Sequence, residues 1–231
     1  MKDYKIYFTA DLHFGHKNIL TLAGRDFSSI EKHDNAIIKA INETVTTADH
    51  LYILGDLGFH KDLESLRDCL LKIRCRNIHV VKGNHDNMQH LIQLKREHVI
   101  ADVKEMQTVQ WGNKAIFCCH YPMREWPGFY RGHYCAYGHC HGTLPQYKKS
   151  IDVGIDNMGI KPVEFETLIE FIDNSYPEEV VSKEDERINR YFPDLNTHFF
   201  VSLCTGNEEI RNKVAEVLTR GVGKWDASFI Q

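Results

Sequence analysis

Short apolar runs alternate with amphipathic segments through the first third of the chain. The runs 5–10, 50–54 and 78–81 are rich enough in apolar residues to predict buried strands. Between them, apolar residues recur at helical spacing over 31–48 and 63–71, which predicts two helices. Strands that alternate with helices predict a parallel sheet, and ligands bind such sheets outside the carboxyl ends of the strands.

The second part of the chain has a different pattern, richer in strands than in helices. Glycine followed by asparagine at positions 112 and 113 is a hairpin turn signal. A predicted helix over 164–173 closes this part of the chain. The segments predicted as strands are 99–110, 114–121, 134–137 and 150–155. We expect these strands to be antiparallel.

The pattern changes again beyond Tyr176. The segment 177–189 is highly charged, 198–203 is apolar enough for a strand, and 207–220 has the pattern of a helix that ends at a glycine. We therefore predict a main domain over 1–175 and a small α/β appendage over 176–231, whose role the sequence does not indicate.

Composition narrows the classes of protein. The 231 residues are 42% hydrophobic, and no apolar run approaches the roughly 20 residues that span a bilayer. The first residues lead into a strand without a signal peptide, and the seven cysteines include no CxxC pair, so we expect reduced thiols and a cytoplasmic location. A net charge of −4 argues against duplex nucleic acid as a partner.

The candidate chemistry lies in five polar clusters, each beside a predicted strand. In chain order they are Asp11-Leu12-His13, Gly55-Asp56, Gly83-Asn84-His85-Asp86, His120 and Gly138-His139-Cys140-His141. Carboxylates mixed with imidazoles suit Mn²⁺, Fe²⁺, Zn²⁺ or Co²⁺ better than a thiolate-rich zinc site. A carboxylate at a strand end can bridge two cations, and two cations can clamp a phosphoryl group.

Two of these clusters place ligands two residues apart. In an extended segment such residues point to the same side, so Asp11 with His13, and His139 with His141, are expected to reach one centre. Each cluster alone is weak support, because isolated pairs of this kind are common in surface loops. Their order and their position beside strands make the joint pattern far more specific.

The five clusters resemble the motifs of the calcineurin-like metallophosphoesterase superfamily, which read D-x-H, G-D, G-N-H-D/E, H and G-H-x-H. All five occur here in that order, and the resemblance covers roughly residues 4–174. Small bacterial and phage-type phosphoesterases are similar over longer stretches, namely 11–19, 120–123 with Trp126, 138–142 and 152–156.

This resemblance implies an α/β fold of two facing mixed β-sheets flanked by helices. It implies two divalent transition-metal ions, with Mn²⁺ expected first and Fe, Zn, Co or Ni as alternatives. The implied roles are one metal on Asp11, His13 and His141, the other on Asn84, His120 and His139, and Asp56 bridging both. A bridging hydroxide would attack phosphorus, and His85 would protonate the leaving oxygen. Asp86 would orient His85 or simply fix its loop.

Further candidates surround these motifs. His16 and Arg124 are predicted to contact substrate, although Arg124 could equally be a solvated surface residue. Trp126 and neighbouring aromatic residues could stack on a nucleobase or form hydrophobic packing. Three cysteines lie near predicted ligands, and packing into the core is the expected role for them rather than nucleophilic attack: Cys118, Cys119 and Cys140.

The function predicted from the sequence is hydrolysis of small phosphate mono- or diesters, nucleotides and cyclic nucleotides among them. A phosphoprotein phosphatase is an alternative, although the residues after Asp56 depart from that branch of the superfamily. A single-strand nuclease is a second alternative. A binding scaffold that has lost its chemistry is a third, and the complete set of ligand motifs argues against it.

Overall fold

The computed structural model describes residues 3–59 and 62–175, and the predicted appendage (176–231) lies outside them. The strands are β1 (Ile6–Thr9), β2 (His50–Leu54), β3 (Asn77–Val81), β4 (Asp102–Lys104), β5 (Met106–Trp111), β6 (Lys114–Cys119), β7 (Tyr134–Tyr137), β8 (Ser150–Asp152) and β9 (Val163–Glu164). The helices are α1 (Ile19–Leu22), α2 (Ile30–Thr44), α3 (Leu63–Leu70), α4 (Met88–Arg96), α5 (Ile155–Met158) and α6 (Phe165–Ser175). A 3-10 turn at Phe129–Arg131 lies between β6 and β7.

The first sheet has the strand order β4-β3-β2-β1-β9. Strands β1 to β4 pair in parallel, with Tyr7 opposite Leu51 and Leu51 opposite Ile78. Only the short β9 runs antiparallel to its neighbour β1. The pairing of β1 to β4 confirms the predicted parallel sheet, and the helices α2, α3 and α4 lie on the three crossovers between its parallel strands.

The second sheet has the strand order β5-β6-β7-β8. Strands β5 and β6 form the predicted antiparallel hairpin, but β6, β7 and β8 pair in parallel. The expectation of an antiparallel second half is therefore wrong for β7 and β8. The connections 120–133 and 138–149 are long enough to return the chain to the same end of the sheet, and an apolar run does not reveal strand direction.

The segment 99–110, predicted as one strand, is divided between the sheets. Its part in β4 pairs with β3, and its part in β5 pairs with β6. The chain therefore crosses from one sheet to the other between Lys104 and Met106.

The core consists of layers on either side of the first sheet. On β1, Tyr7 joins the cluster beneath α2 and α3, whereas Ile6 and Phe8 join the cluster between the two sheets. Ser29 is the N-cap of helix α2, and its side chain accepts a hydrogen bond from the Lys32 N–H at 3.3 Å. The protein therefore has the predicted α/β fold, with two mixed sheets facing each other and flanked by helices.

The outer face of the second sheet is covered by the segment that contains the 3-10 turn. Phe117 and Cys135 point to this face and pack with the buried Trp126. Across 3–59 and 62–175, no helix combines the length and the apolar character needed to cross a membrane.

Candidate metal centre

The polar motifs of the sequence meet at one edge of the fold, where strands of both sheets end. Asp11, Asp56 and Asn84 follow β1, β2 and β3, which are parallel neighbours in the first sheet. His120 and His139 follow β6 and β7, which are parallel neighbours in the second. The parallel direction of β7, which the sequence pattern missed, is what brings the last motif to this edge.

The backbone at five of the predicted ligands is left-handed rather than extended: Asp56, with a φ angle of 51°, and all four ligands of the two paired motifs. The φ angle is 56° at Asp11, 51° at His13, 71° at His139 and 49° at His141. The expectation that strand periodicity aligns these side chains is therefore wrong, because tight turns aim them instead. Each such conformation costs about 1–3 kcal/mol, and hydrogen bonds hold it in place, as where the His13 N–H donates to the Asp56 carbonyl at 2.9 Å.

The first ligand group comprises Asp11, His13 and His141, whose ligand atoms all lie within 4.8 Å of one another. Burial lowers the pKa of His13 to about 2, which keeps its ring in the neutral form that binds metals. The His13 Nε2 atom is buried and has no hydrogen-bond partner within the described part of the chain. An unpaired buried polar atom costs about 1–3 kcal/mol, and a cation at this point would satisfy it.

The second ligand group comprises Asn84, His120 and His139. The Asn84 Oδ1 atom lies 2.8 Å from His120 Nε2 and 2.9 Å from His139 Nδ1. The other ring nitrogen of His120, Nδ1, lies 2.9 Å from the Leu54 carbonyl, which assigns the ring proton to Nδ1. Burial lowers the pKa of His120, so its ring is neutral and Nε2 presents a lone pair to the site.

Asp56 lies between the two groups. Its Oδ2 atom is 3.7 Å from His13 Nε2 in the first group and 3.6 Å from His120 Nε2 in the second. Asp56 and Asp11 are both buried, and the described residues include no lysine or arginine that pairs with either carboxylate. Burial raises the pKa of Asp11 to about 8, a cost that a bound cation would remove.

These observations test whether the site fits the metals that the motifs imply. Within the described residues, one buried imidazole nitrogen has no hydrogen-bond partner, lone pairs of ligand atoms face one another, and two buried carboxylates lack a cationic partner. A cation bound by these oxygen and imidazole donors would satisfy all of them. The residues of the two ligand groups therefore fit divalent cations.

Two motif glycines are required by close contact rather than by chemistry. Gly55 has a φ of 94°, and a Cβ atom there would collide with the His120 ring. A Cβ atom on Gly83 would collide with the carboxylate of Asp56. These glycines let the turns after β2 and β3 approach the ligands closely.

His85 and Asp86, both predicted as catalytic, lie in different surroundings. The His85 side chain is 42% exposed and places Nε2 4.0 Å from Asp56 Oδ2, at the open side of the centre. Asp86 is buried and accepts hydrogen bonds from the backbone N–H groups of Asp56, Leu57 and Gly83 at 3.0, 2.9 and 2.8 Å. Asp86 therefore ties the two turns together, which matches the loop-fixing alternative rather than orientation of His85.

Of the two residues predicted to contact substrate, only one lies at the candidate centre. His16 lies at the centre, with Nδ1 3.4 Å from His13 Nδ1 and its ring stacked on Phe59 at 4.5 Å. Arg124 is exposed and places its guanidinium 4.9 Å from the centre of the Tyr147 ring, outside the lining of the cavity at the centre. The structure brings His16, but not Arg124, to the candidate centre.

Trp126 and the cysteines are packing residues. Trp126 is buried, and its Nε1–H donates to the His133 carbonyl at 2.8 Å. Cys118 and Cys119 are buried in the second sheet, as predicted. Cys140 is half-buried and also lines the cavity, but burial raises its pKa to about 11, which makes it a poor nucleophile at neutral pH.

A buried charged network behind the first ligand group was missed from the sequence. Asp156 accepts a hydrogen bond from His141 Nδ1 at 2.6 Å and two from Arg25, at 2.8 and 2.6 Å. Arg25 also donates to the carbonyl of Asp11 at 2.7 Å and contacts His33 Nε2 at 2.9 Å. Asp156 belongs to the 152–156 stretch on which the resemblance was based, but nothing in the sequence distinguishes Arg25 from a surface arginine.

Residues 5–156 match the calcineurin-like phosphoesterase superfamily domain. The chain belongs to this superfamily, and its fold and candidate metal centre agree with that assignment.

Two further comparisons found similar proteins whose functions are not established. The chain is 27% identical to the uncharacterized protein MJ1445 of Methanocaldococcus jannaschii over 176 residues, which are 73% of this chain and 92% of that protein. The structure of the present chain is similar to that of AQ665 from Aquifex aeolicus, a protein of unknown function, with a TM-score of 0.58 at 19% identity. That alignment covers 74% of this chain and all of AQ665, and it supports the fold alone.

Proposed function

We propose that this protein hydrolyses phosphate mono- or diesters of small substrates, such as nucleotides or cyclic nucleotides, with two divalent transition-metal ions. The observation that supports this most is the position of Asp56, whose Oδ2 lies 3.7 Å and 3.6 Å from imidazole nitrogens of the two ligand groups. A carboxylate so placed is suited to bridge two cations.

The proposed ligands are Asp11, His13 and His141 for one ion, Asn84, His120 and His139 for the other, and Asp56 for both. We expect Mn²⁺, with Fe, Zn, Co or Ni as alternatives, since a mixed set of oxygen and imidazole donors suits ions of this group. When bound, two such ions activate a water molecule as nucleophile and neutralise the charge on the phosphoryl oxygens.

The chain itself supplies orientation and a proton. His85 is exposed beside Asp56, and its backbone N–H donates to Asp56 Oδ1 at 2.9 Å, so its position is fixed relative to the proposed bridge. From there Nε2 is placed to donate a proton to the leaving oxygen, a contribution typically of about 10²–10⁴-fold. Asp86 supports this geometry by joining the turns that carry Asp56 and His85.

The test is hydrolysis by the full chain, reconstituted with Mn²⁺ or stripped by chelator. The panel comprises an aryl phosphate monoester, an aryl phosphate diester, 2′,3′- and 3′,5′-cyclic nucleotides, a phosphopeptide and single-stranded DNA. We expect metal-dependent turnover of the small esters. Preference for the phosphopeptide or for DNA would replace the proposal with one of the alternative functions, and no metal binding at all would support the scaffold.

A further inference from the structure

The candidate metal centre forms the floor of a cavity of about 930 Å³. This volume is near the upper end of the roughly 300–1,000 Å³ typical of small-molecule sites, and it leaves room for far more than a phosphoryl group. Among the described residues, the lining contains no lysine, arginine, aspartate or glutamate. Beside its histidines, the walls are mostly apolar: Ile19, Leu22, Ala23, Phe59, Tyr121, Pro122 and Leu144.

Exposed apolar side chains are concentrated at this cavity. Nine large hydrophobic residues in the described part of the chain are exposed, and four of them line it. Leu22 is 75% exposed, Phe59 and Tyr121 are 50% exposed, and Leu144 is 49% exposed. Exposed apolar side chains are common when scattered, but a group of them around a polar floor indicates a site that receives an apolar part of a ligand.

Two aromatic side chains line the cavity and pack against its histidine rings. The Phe59 ring stacks on His16 at 4.5 Å and meets the His85 ring edge-on at 5.6 Å. The Tyr121 ring packs on His139 at 4.6 Å. Phe59 is thus the aromatic wall beside the residue proposed to protonate the leaving oxygen.

We propose that the substrate is a phosphate ester whose leaving alcohol bears an uncharged aromatic or apolar group, and that Phe59 selects this group by packing against it. This inference rests on the proposed function, because it uses His85 as the proton donor. His85 must reach the ester oxygen, so the alcohol beyond that oxygen extends towards Phe59. Among the described residues of the lining, no lysine or arginine compensates for further negative charge on the substrate.

The reaction is a balanced hydrolysis. The oxygen of water forms a new bond to phosphorus, and the phosphorus–oxygen bond to the alcohol breaks with its electron pair on the alcohol oxygen. That oxygen takes a proton from His85, water releases a proton to solvent, and solvent reprotonates His85. Phe59 touches only the departing alcohol, so its contribution depends on what that alcohol carries.

The experiment compares 2-phenylethyl phosphate with ethyl phosphate, two alkyl esters whose alcohols differ chiefly in the phenyl group. If the panel shows that diesters are preferred, the corresponding methyl diesters are used. We expect the metal-loaded protein to favour the phenylethyl ester by about tenfold or more in kcat/KM, since the aromatic contact adds to the gain from burying apolar area.

Phe59→Ala tests the residue, and Phe171→Ala is its matched control. Phe171 is 46% exposed, close to the 50% of Phe59, but lies on α6 and does not line the cavity. We expect Phe59→Ala to lose most of the roughly tenfold preference, because kcat/KM should fall much further for the phenylethyl ester than for ethyl phosphate, while the metal content stays unchanged. Phe171→Ala should change neither ester.

Several outcomes would overturn the inference. Equal loss on both esters would make Phe59 a structural residue, and a wild-type preference for the ethyl ester or for nucleoside triphosphates would exclude an apolar selector. Calorimetric binding of the non-hydrolysable 2-phenylethyl and ethyl phosphonates gives a readout without turnover. If the phenylethyl compound binds more tightly only when Phe59 is present, but no ester is hydrolysed, the proposed function fails and the selectivity stands. If the two bind equally, the selectivity fails.

Discussion

The two ligand groups of the centre are built differently. In the first group, His141 donates a hydrogen bond to Asp156. Arg25 also donates to Asp156, and the Arg25 side chain is only 4% exposed. In the second group, His120 is held by the Leu54 carbonyl and Asn84 is exposed. The Asn84 Oδ1 contacts to His120 and His139 are contacts between the ligands themselves.

This difference indicates how each group behaves without metal. The first group is supported by a buried network of charges that continues from Arg25 through His33 to Asp34, whose carboxylate accepts the Gly15 N–H at 2.9 Å. The second group has less support behind it. We therefore expect the first group to keep its geometry and to bind its ion more tightly, because partners behind a ligand fix its orientation.

The largest effect is expected from Asp56→Asn, which removes the charge that both groups share. We expect metal content to fall below one ion per chain and turnover to reach background, since both cations lose a common anionic ligand. Mass spectrometry of bound metal and the ester assay measure these two losses. Asp68→Asn, at an exposed position of α3, is the control and should change neither. Near-normal metal content and rate in Asp56→Asn would refute the bridge.

A smaller loss is expected from His85→Gln, which leaves both ligand groups intact. We expect two bound ions, an unchanged fold and a decrease in kcat of about 10²–10⁴-fold, as for removal of a general acid. The decrease should be largest for esters with poorly acidic alcohols and small for aryl esters, because good leaving groups need little protonation. A uniform decrease for all esters would assign His85 to phosphate binding instead.

Arg25→Met tests the support behind the first group. We expect the affinity for one of the two ions to fall by about 10–100-fold, because His141 loses the support behind Asp156. The buried Asp156 would lose its cationic partner, so the free energy of unfolding should also fall, by as much as about 3–5 kcal/mol. Arg25→Met/Asp156→Asn removes the unpaired charge and should recover stability without recovering affinity. Recovery of both would mean that the network serves only the fold.

Asn84→Ala is the counterpart in the second group. We expect it to retain one tightly bound ion and lose the other, with little change in stability because Asn84 is exposed. Electron paramagnetic resonance of the Mn²⁺ form distinguishes a coupled pair from a single ion. Loss of both ions in Asn84→Ala, or loss of the same ion as in Arg25→Met, would show that the two groups do not differ in the way proposed.

The sequence was sufficient to predict what depends on local pattern. Apolar runs gave the strands, and the carboxyl ends of parallel strands placed Asp11, Asp56 and Asn84 together. The direction of β7 depends on long-range pairing, and the left-handed φ angles at His139 and His141 depend on hydrogen bonds made after folding. Neither leaves a signal in the order of apolar and polar residues.

The supporting network illustrates the same limit. Arg25 and Asp156 are separated by 131 positions in the chain, and their pairing follows from the packing of the segment after α1 against α5. The sequence alone does not distinguish a buried arginine from an exposed one. Ligands could be identified because motif spacing is local, whereas the residues behind them could not.

The smallest predicted effect concerns His79, which separates unfolding at low pH from the release of metal at low pH. His79 lies on β3, outside both ligand groups, and burial lowers its pKa to about 4 from an ordinary value of 6.5. His50 faces it at 2.9 Å, the Tyr52 ring stacks on it, and Asp102 and Lys104 are its charged neighbours. The folded state therefore binds a proton at His79 less readily than the unfolded state does.

The contribution of His79 to stability should be fully present above about pH 6.5 and decrease as the pH falls towards 4. Because the ring is partly solvated, we expect a loss of about 1–2 kcal/mol rather than the full value of the shift. His79→Gln should reduce this acid sensitivity in urea unfolding of the metal-free protein while leaving the pH dependence of metal binding unchanged. If the variant unfolds with the same pH dependence as the wild type, the acid sensitivity originates in the ligand groups themselves.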